Sequence, residues 1–123
     1  MKHKGLVPYA HVTNVNGSVE FYKKLGFEIA NSHPSDSPEP VWVWLHAGGA
    51  NLMIAATGPD EPVIASQQAV FFYLYVEDVA SFRDVVIAAG IDAGPLQHPF
   101  YLPSGEFIVQ DPDGYAVMIA QHD

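Results

Sequence analysis

Apolar positions recur with two periods along this chain, and each change of period marks a boundary between elements. Leu6–Thr13 is a strand in which polar and apolar residues mix, with Pro8 tolerable near its start or on an edge. Val19, Tyr22 and Leu25 then recur at helical spacing, with Asn16 or Ser18 as candidate cap and Gly26 where a left-handed residue ends a helix. Phe27–Ser32 reads as a second strand, and the Pro- and Ser-rich stretch from His33 to Pro40 as a loop. Strict alternation returns in Val41–His46, and Asn51–Ala56 pairs with it across Ala47-Gly48-Gly49. Thr57–Gln68 has the composition of a connection. After it, Val70–Val76 predicts a strand, and Asp78 caps a helix with Val79, Phe82, Val86 and Ala89 on one stripe and Gly90 at its end. A short strand is expected within Gln97–Leu102, followed by a hairpin of Gly105–Gln110 and Tyr115–Gln121 around Asp111-Pro112-Asp113-Gly114.

The order βαβββ is thus written twice. In each half a glycine, Gly49 or Gly114, is followed four residues later by Met-Ile-Ala, at Met53 and Met118. The expected fold is α+β, one domain of two βαβββ modules, about 5–57 and 69–121, whose curved mixed sheets face one another around a cleft. Side chains two apart on a strand share a face, so Val70, Phe72, Leu74 and Val76 suit the helix side and leave Phe71, Tyr73 and Tyr75 opposite. By the same rule Val117 and Ile119 go inward and Ala116, Met118 and Ala120 outward. Leu52 and Ile54 oppose Asn51, Met53 and Ala55, and Trp42 and Trp44 oppose Val43 and Leu45. One of Glu106 and Phe107 belongs to the outward face, and alternation alone does not say which.

Composition narrows the chemistry. The 123 residues are 49% hydrophobic, enough for one core without staples, and contain no cysteine, which removes thiol nucleophiles, thiolate zinc sites and disulfides together. Fourteen acidic residues face five basic ones, four of them lysines within the first 24 positions. Nucleic acid and anionic membranes need clustered Lys and Arg, so neither is an expected partner. No apolar stretch approaches the roughly 20 residues of a bilayer span, and the basic start Met1–Lys4 leads into no signal-length apolar run, so the expected location is the cytoplasm. A net charge of −9 favours cationic small molecules and also serves simple solubility.

The helix and stop from Gly17 to Glu28, the entry Tyr73–Val79 and the run Gly105–Tyr115 together resemble the vicinal oxygen chelate superfamily, which includes glyoxalase I, extradiol dioxygenases and bleomycin-resistance proteins. The resemblance covers nearly the whole chain. It implies that metal-using members take a ligand from the first and fourth strand of each module, and at those positions this chain carries His11, Met53, Phe71 and Met118. Phenylalanine cannot ligate, and a thioether suits soft copper(I) better than hard divalent ions. No metal and no cofactor are therefore expected. A displaced site using His46, His98 or Glu106 has no characteristic spacing behind it, and His11 reads as a hydrogen-bonded imidazole, buried or at a pocket edge, rather than as a metal ligand.

Replacing ligands by Met and Phe converts a chelating face into an apolar, polarizable one. The candidate ligand-binding residues are His11, Trp42, Trp44, Met53, Phe71, Tyr73, Tyr75, Tyr101, Phe107 and Met118. The resemblance to the bleomycin-resistance branch implies a homodimer that sequesters a small planar, often cationic molecule such as an antibiotic, without catalysis. The same rings also suit a core between modules or a dimer interface. Two other readings remain: a lyase, isomerase or dioxygenase of the same superfamily, and a protein-interaction domain with an aromatic face. The chain has no Gly-x-Ser-x-Gly elbow, phosphate-cradling loop or dinucleotide fingerprint. Glu106 and His98 are the general acid–base candidates should they reach a cavity.

Overall fold

A computed structural model describes residues 1–58, 61–64, 67 and 69–123. Part of the connection expected over Thr57–Gln68 lies outside them. The chain divides into two compact units, Met1–Val63 and Ile64–Asp123.

The first unit holds β1 (Tyr9–Val12), α1 (Val15–Lys24), β2 (Glu28–His33), β3 (Trp42–Ala47) and β4 (Ala50–Ala56) in a sheet ordered β1-β4-β3-β2. β1 runs parallel to β4, and the other pairs are antiparallel. Helix α1 lays Val15, Ser18, Val19 and Tyr22 inward, a stripe at helical spacing, and Val12, Val43, Leu45 and Ile54 are fully enclosed with it. The cap is Asn14, not Asn16 or Ser18: its extended backbone (φ −135°) turns its side chain back to accept from the Gly17 N–H at 3.0 Å. Asn16 sits in the first turn and donates to the Pro38 carbonyl, while Ser18 is buried. The expected first strand is also shorter. Pro8 has no N–H for the ladder, although its carbonyl still accepts from Met53.

The second unit holds β5 (Phe71–Val76), α2 (Val79–Ala88), β6 (Glu106–Gln110) and β7 (Ala116–Gln121), ordered β5-β7-β6. Again the first strand is parallel to the last. The strand expected in Gln97–Leu102 is reduced to one bridge, Gln97 to Glu106. Beyond it Pro99 and Pro103 cannot donate, and the chain turns through Leu102 N–H to Pro99 O and Gly105 N–H to Leu102 O. The second half is therefore βαββ, with its second strand reduced to a remnant at Gln97.

The two helices end alike. Phe27 and Ile91 donate to the carbonyls of Tyr22 and Val86, Gly26 and Gly90 donate to those of Lys23 and Ile87, and both glycines have positive φ (97° and 86°). This double bond is the Schellman ending, which explains why glycine stands at both positions. Gln121 fastens β7 to the start of α2 by accepting from the Val79 N–H and donating to the Glu77 carbonyl. In the loop between β6 and β7, Asp111 Oδ1 accepts from the N–H groups of Asp113 and Tyr115, and Gly114 closes the turn at φ 92°. Burial and the Asp111 and Asp113 charges hold the Tyr115 hydroxyl above the usual phenol range.

Three outcomes follow for stability. Asn14→Ala removes the α1 cap and should cost about 1 kcal/mol in a urea titration. Ile119 is wholly enclosed while Met118 beside it is half-buried, so Ile119→Ala should cost roughly 2–5 kcal/mol and Met118→Ala clearly less. Asp78 caps α2, and its bonds from the Ser81 N–H and hydroxyl hold its carboxyl below the ordinary range. Its contribution is full above that range and is lost as pH falls through the lowered value. Urea midpoints of wild type and Asp78→Ala should therefore converge in acid.

Candidate functional site

Ladder register sorts the predicted residues into rows across each sheet. In the second unit Phe71 lies beside Ala116, which pairs with Gln110; Tyr73 lies beside Met118, which pairs with Ile108; Tyr75 lies beside Ala120, which pairs with Glu106. These nine side chains share the face away from α2. Its outer edge is aromatic: Phe71, Tyr73 and Tyr75 are 63%, 45% and 56% exposed, and the rings of Tyr73 and Tyr75 stack at 5.9 Å and 25°. In the first unit the rows are Tyr9–Met53–Trp44 and His11–Ala55–Trp42, with Asn51 paired to His46. The indole N–H of Trp44 donates to Asn51 Oδ1 at 3.0 Å, fixing the ring along the sheet, and Tyr9 meets His11 edge-on at 5.5 Å.

Nine of the ten candidate residues can be placed on or beside these two faces. His11, Trp42, Trp44 and Met53 belong to the first, Phe71, Tyr73, Tyr75 and Met118 to the second, and Tyr101 joins the second through its hydroxyl, which hydrogen-bonds Glu106 and lies near Tyr73. The tenth, Phe107, does not. It pairs with Ile119 on the helix side and is 1% exposed, which settles the question left open by alternation: Glu106, and not Phe107, faces with Tyr73 and Tyr75. The bond to Glu106 is the main reason that the Tyr101 hydroxyl titrates above the usual phenol range. Tyr9 was missed, though its position two residues before His11 on the same strand was signal enough.

The internal match of His11 also changes. Taking Ser18 as the α1 cap would set His11 against Phe71. The cap at Asn14, which corresponds to Asp78, moves the frame by four residues, so His11 corresponds to Tyr75, Tyr9 to Tyr73, and Phe71 to Val7. The ladders agree, because Tyr9 lies beside Met53 as Tyr73 lies beside Met118.

A family model described as the Glyoxalase/Bleomycin resistance protein/Dioxygenase superfamily matches residues 9–119. The chain belongs to this superfamily. Among solved structures, it is similar to a bleomycin-binding protein complexed with bleomycin, at 18% identity and TM-score 0.76 over 98% of this chain and 100% of that one. The bleomycin-binding protein of bleomycin-producing Streptomyces verticillus, complexed with copper(II)-bleomycin, gives 21% and 0.73 over 100% and 99%. TioX from Micromonospora sp. ML1 gives 23% and 0.76 over 98% and 100%. At these identities the likeness concerns the fold. No curated protein matches the chain significantly.

The superfamily's metal can be tested against the donors present. With the corrected frame the four positions carry Val7, Met53, Phe71 and Met118, which offer no hard oxygen or nitrogen donor, so these residues do not fit a hard divalent ion. Among the described residues no three His, Cys, Asp or Glu side chains are grouped to hold one elsewhere. His98, an acid–base candidate, has its Nδ1 2.9 Å from the Pro103 carbonyl. Among the described residues no helix is long and apolar enough to cross a membrane.

His11 stands at none of these four positions, so His11→Ala should leave the metal content of the purified protein unchanged by elemental analysis.

Proposed function

We propose that this chain binds, without catalysis and without a metal ion, a small planar or cationic organic molecule of the antibiotic kind. The observation that carries the reading is the face of β5, β7 and β6, where the rings of Phe71, Tyr73 and Tyr75 are exposed and where Phe71 and Met118 occupy positions at which a chelating site would need donors. Flat rings stack on planar ligands and attract cations through their negative faces, and Met118 between them adapts to an irregular outline. The bleomycin complexes of two structural neighbours support the choice of ligand class. Net charge −9 supports the preference for cations.

Self-association into a homodimer belongs to the same reading, because contiguous exposed aromatic surface of this kind is usually covered by a ligand or a partner. A protein-interaction domain would use that surface for a protein and leave small ligands unbound.

A cationic acridine should bind saturably by fluorescence anisotropy, in protein stripped of metal by chelator as in untreated protein. Tyr73→Ala should weaken it roughly three- to thirtyfold. Absence of saturable binding, together with turnover of a substrate on adding metal, would overturn the reading in favour of an enzyme.

A further inference from the structure

The rows of the second face differ in depth. Ala120, between Glu106 on β6 and Tyr75 on β5, is the smallest side chain of its row and is wholly enclosed, and the strand backbones on its two sides are about 10 Å apart. Glu106 is only 2% exposed, and its Oε1 is buried without a hydrogen-bond partner among the described residues. No Lys, Arg or His among the described residues forms an ion pair with it. Residues 64–123 hold eight acidic side chains and one basic one, Arg83, whose Nε is already donating to the Gly94 carbonyl. The carboxyl is thus withdrawn from water, short of a donor, and without an ion-pair partner among the described residues.

The other contacts of Glu106 indicate what kind of donor it awaits. Tyr101, which hydrogen-bonds it, stands on the Pro99–Gly105 turn with its own side chain 61% exposed. Beside it are the stacked rings of Tyr73 and Tyr75, whose faces attract cations. A carboxylate oxygen without a partner accepts most strongly from a charged N–H group.

We propose that Glu106 is the anchor of a cation subsite, accepting a hydrogen bond from a protonated amine or amidinium whose attached aromatic ring lies against Tyr73 and Tyr75. This rests on the binding reading above and adds to it the residue that selects charge. In the first unit the position matching Glu106 is Trp42, so only the second face carries an acid there.

The test compares 9-aminoacridine, a cation at mildly alkaline pH, with acridine, which is uncharged there and of similar outline, by fluorescence anisotropy and calorimetry on the full chain. Wild type should prefer the cation, and Glu106→Gln, which keeps the side-chain volume, should lose at least tenfold in affinity for the cation while holding acridine unchanged. Equal binding of both probes by wild type and Glu106→Gln would overturn the subsite and leave the aromatic binding face standing. Binding of neither probe to wild type would overturn both. Should Glu106→Gln fail to fold, Tyr101→Phe carries the test. Removing the competing hydroxyl should raise the ratio of cationic to uncharged affinity at least threefold, and an unchanged ratio would overturn the proposal.

Discussion

The register of the two central strands, β4 and β7, is the constraint on which both faces depend. Each strand pairs on both sides, and each is enclosed on one face by a helix-side row, Leu52 and Ile54 in the first case and Val117 and Ile119 in the second. A slip of one residue would put these aliphatic side chains into water and drive Met53 or Met118 into the core, so the hydrophobic effect fixes the register. Once it is fixed, the outward residues of β1, β3, β5 and β6 have no freedom to choose neighbours. Tyr73 stands beside Met118, and Glu106 beside Ala120, because the core residues between them are held.

That dependence explains how much could be read from sequence. Alternation is a direct record of which side is buried, so most of the inward and outward sets of β3, β4, β5 and β7 were legible; Val70, expected on the helix side, lies before β5 and is exposed, and Ala55 and Ala120, expected outward, are enclosed. Glu106 and Phe107 were not, because both are apolar-side candidates by burial: one is enclosed by the helix side and the other lies low on the opposite face, covered by neighbours. Only the pairing of Phe107 with Ile119 separates them, and pairing is a tertiary fact. The Gln97–Leu102 strand failed for a local reason, since two prolines a few residues apart deny the ladder its donors.

The cap of α1 shows how a small local error travels. Asn14, Asn16 and Ser18 are all good capping residues, and only backbone geometry decides among them. Matching the two caps, Asn14 with Asp78, sets Val7 and not His11 against Phe71, so the expected ligand position in the first strand moves by four residues. The Schellman ends at Gly26 and Gly90 were legible, because one residue type satisfies the positive φ cheaply.

Aligning the two units on Met53 and Met118 then shows where the repeat has diverged. The enclosed residues correspond closely, as do the tyrosine and methionine at the centre of each outward face. The differences are at the flanks: Trp44 against Ile108, His11 against Tyr75, and Trp42 against Glu106. Core positions answer to packing, which is the same problem in both units. Flank positions on the outward face answer to whatever covers that face, and a carboxyl replacing an indole there changes the preferred occupant from apolar to hydrogen-bond donating. The scaffold therefore holds two faces of common geometry and different chemistry, with the acid on the unit that also carries most of the negative charge.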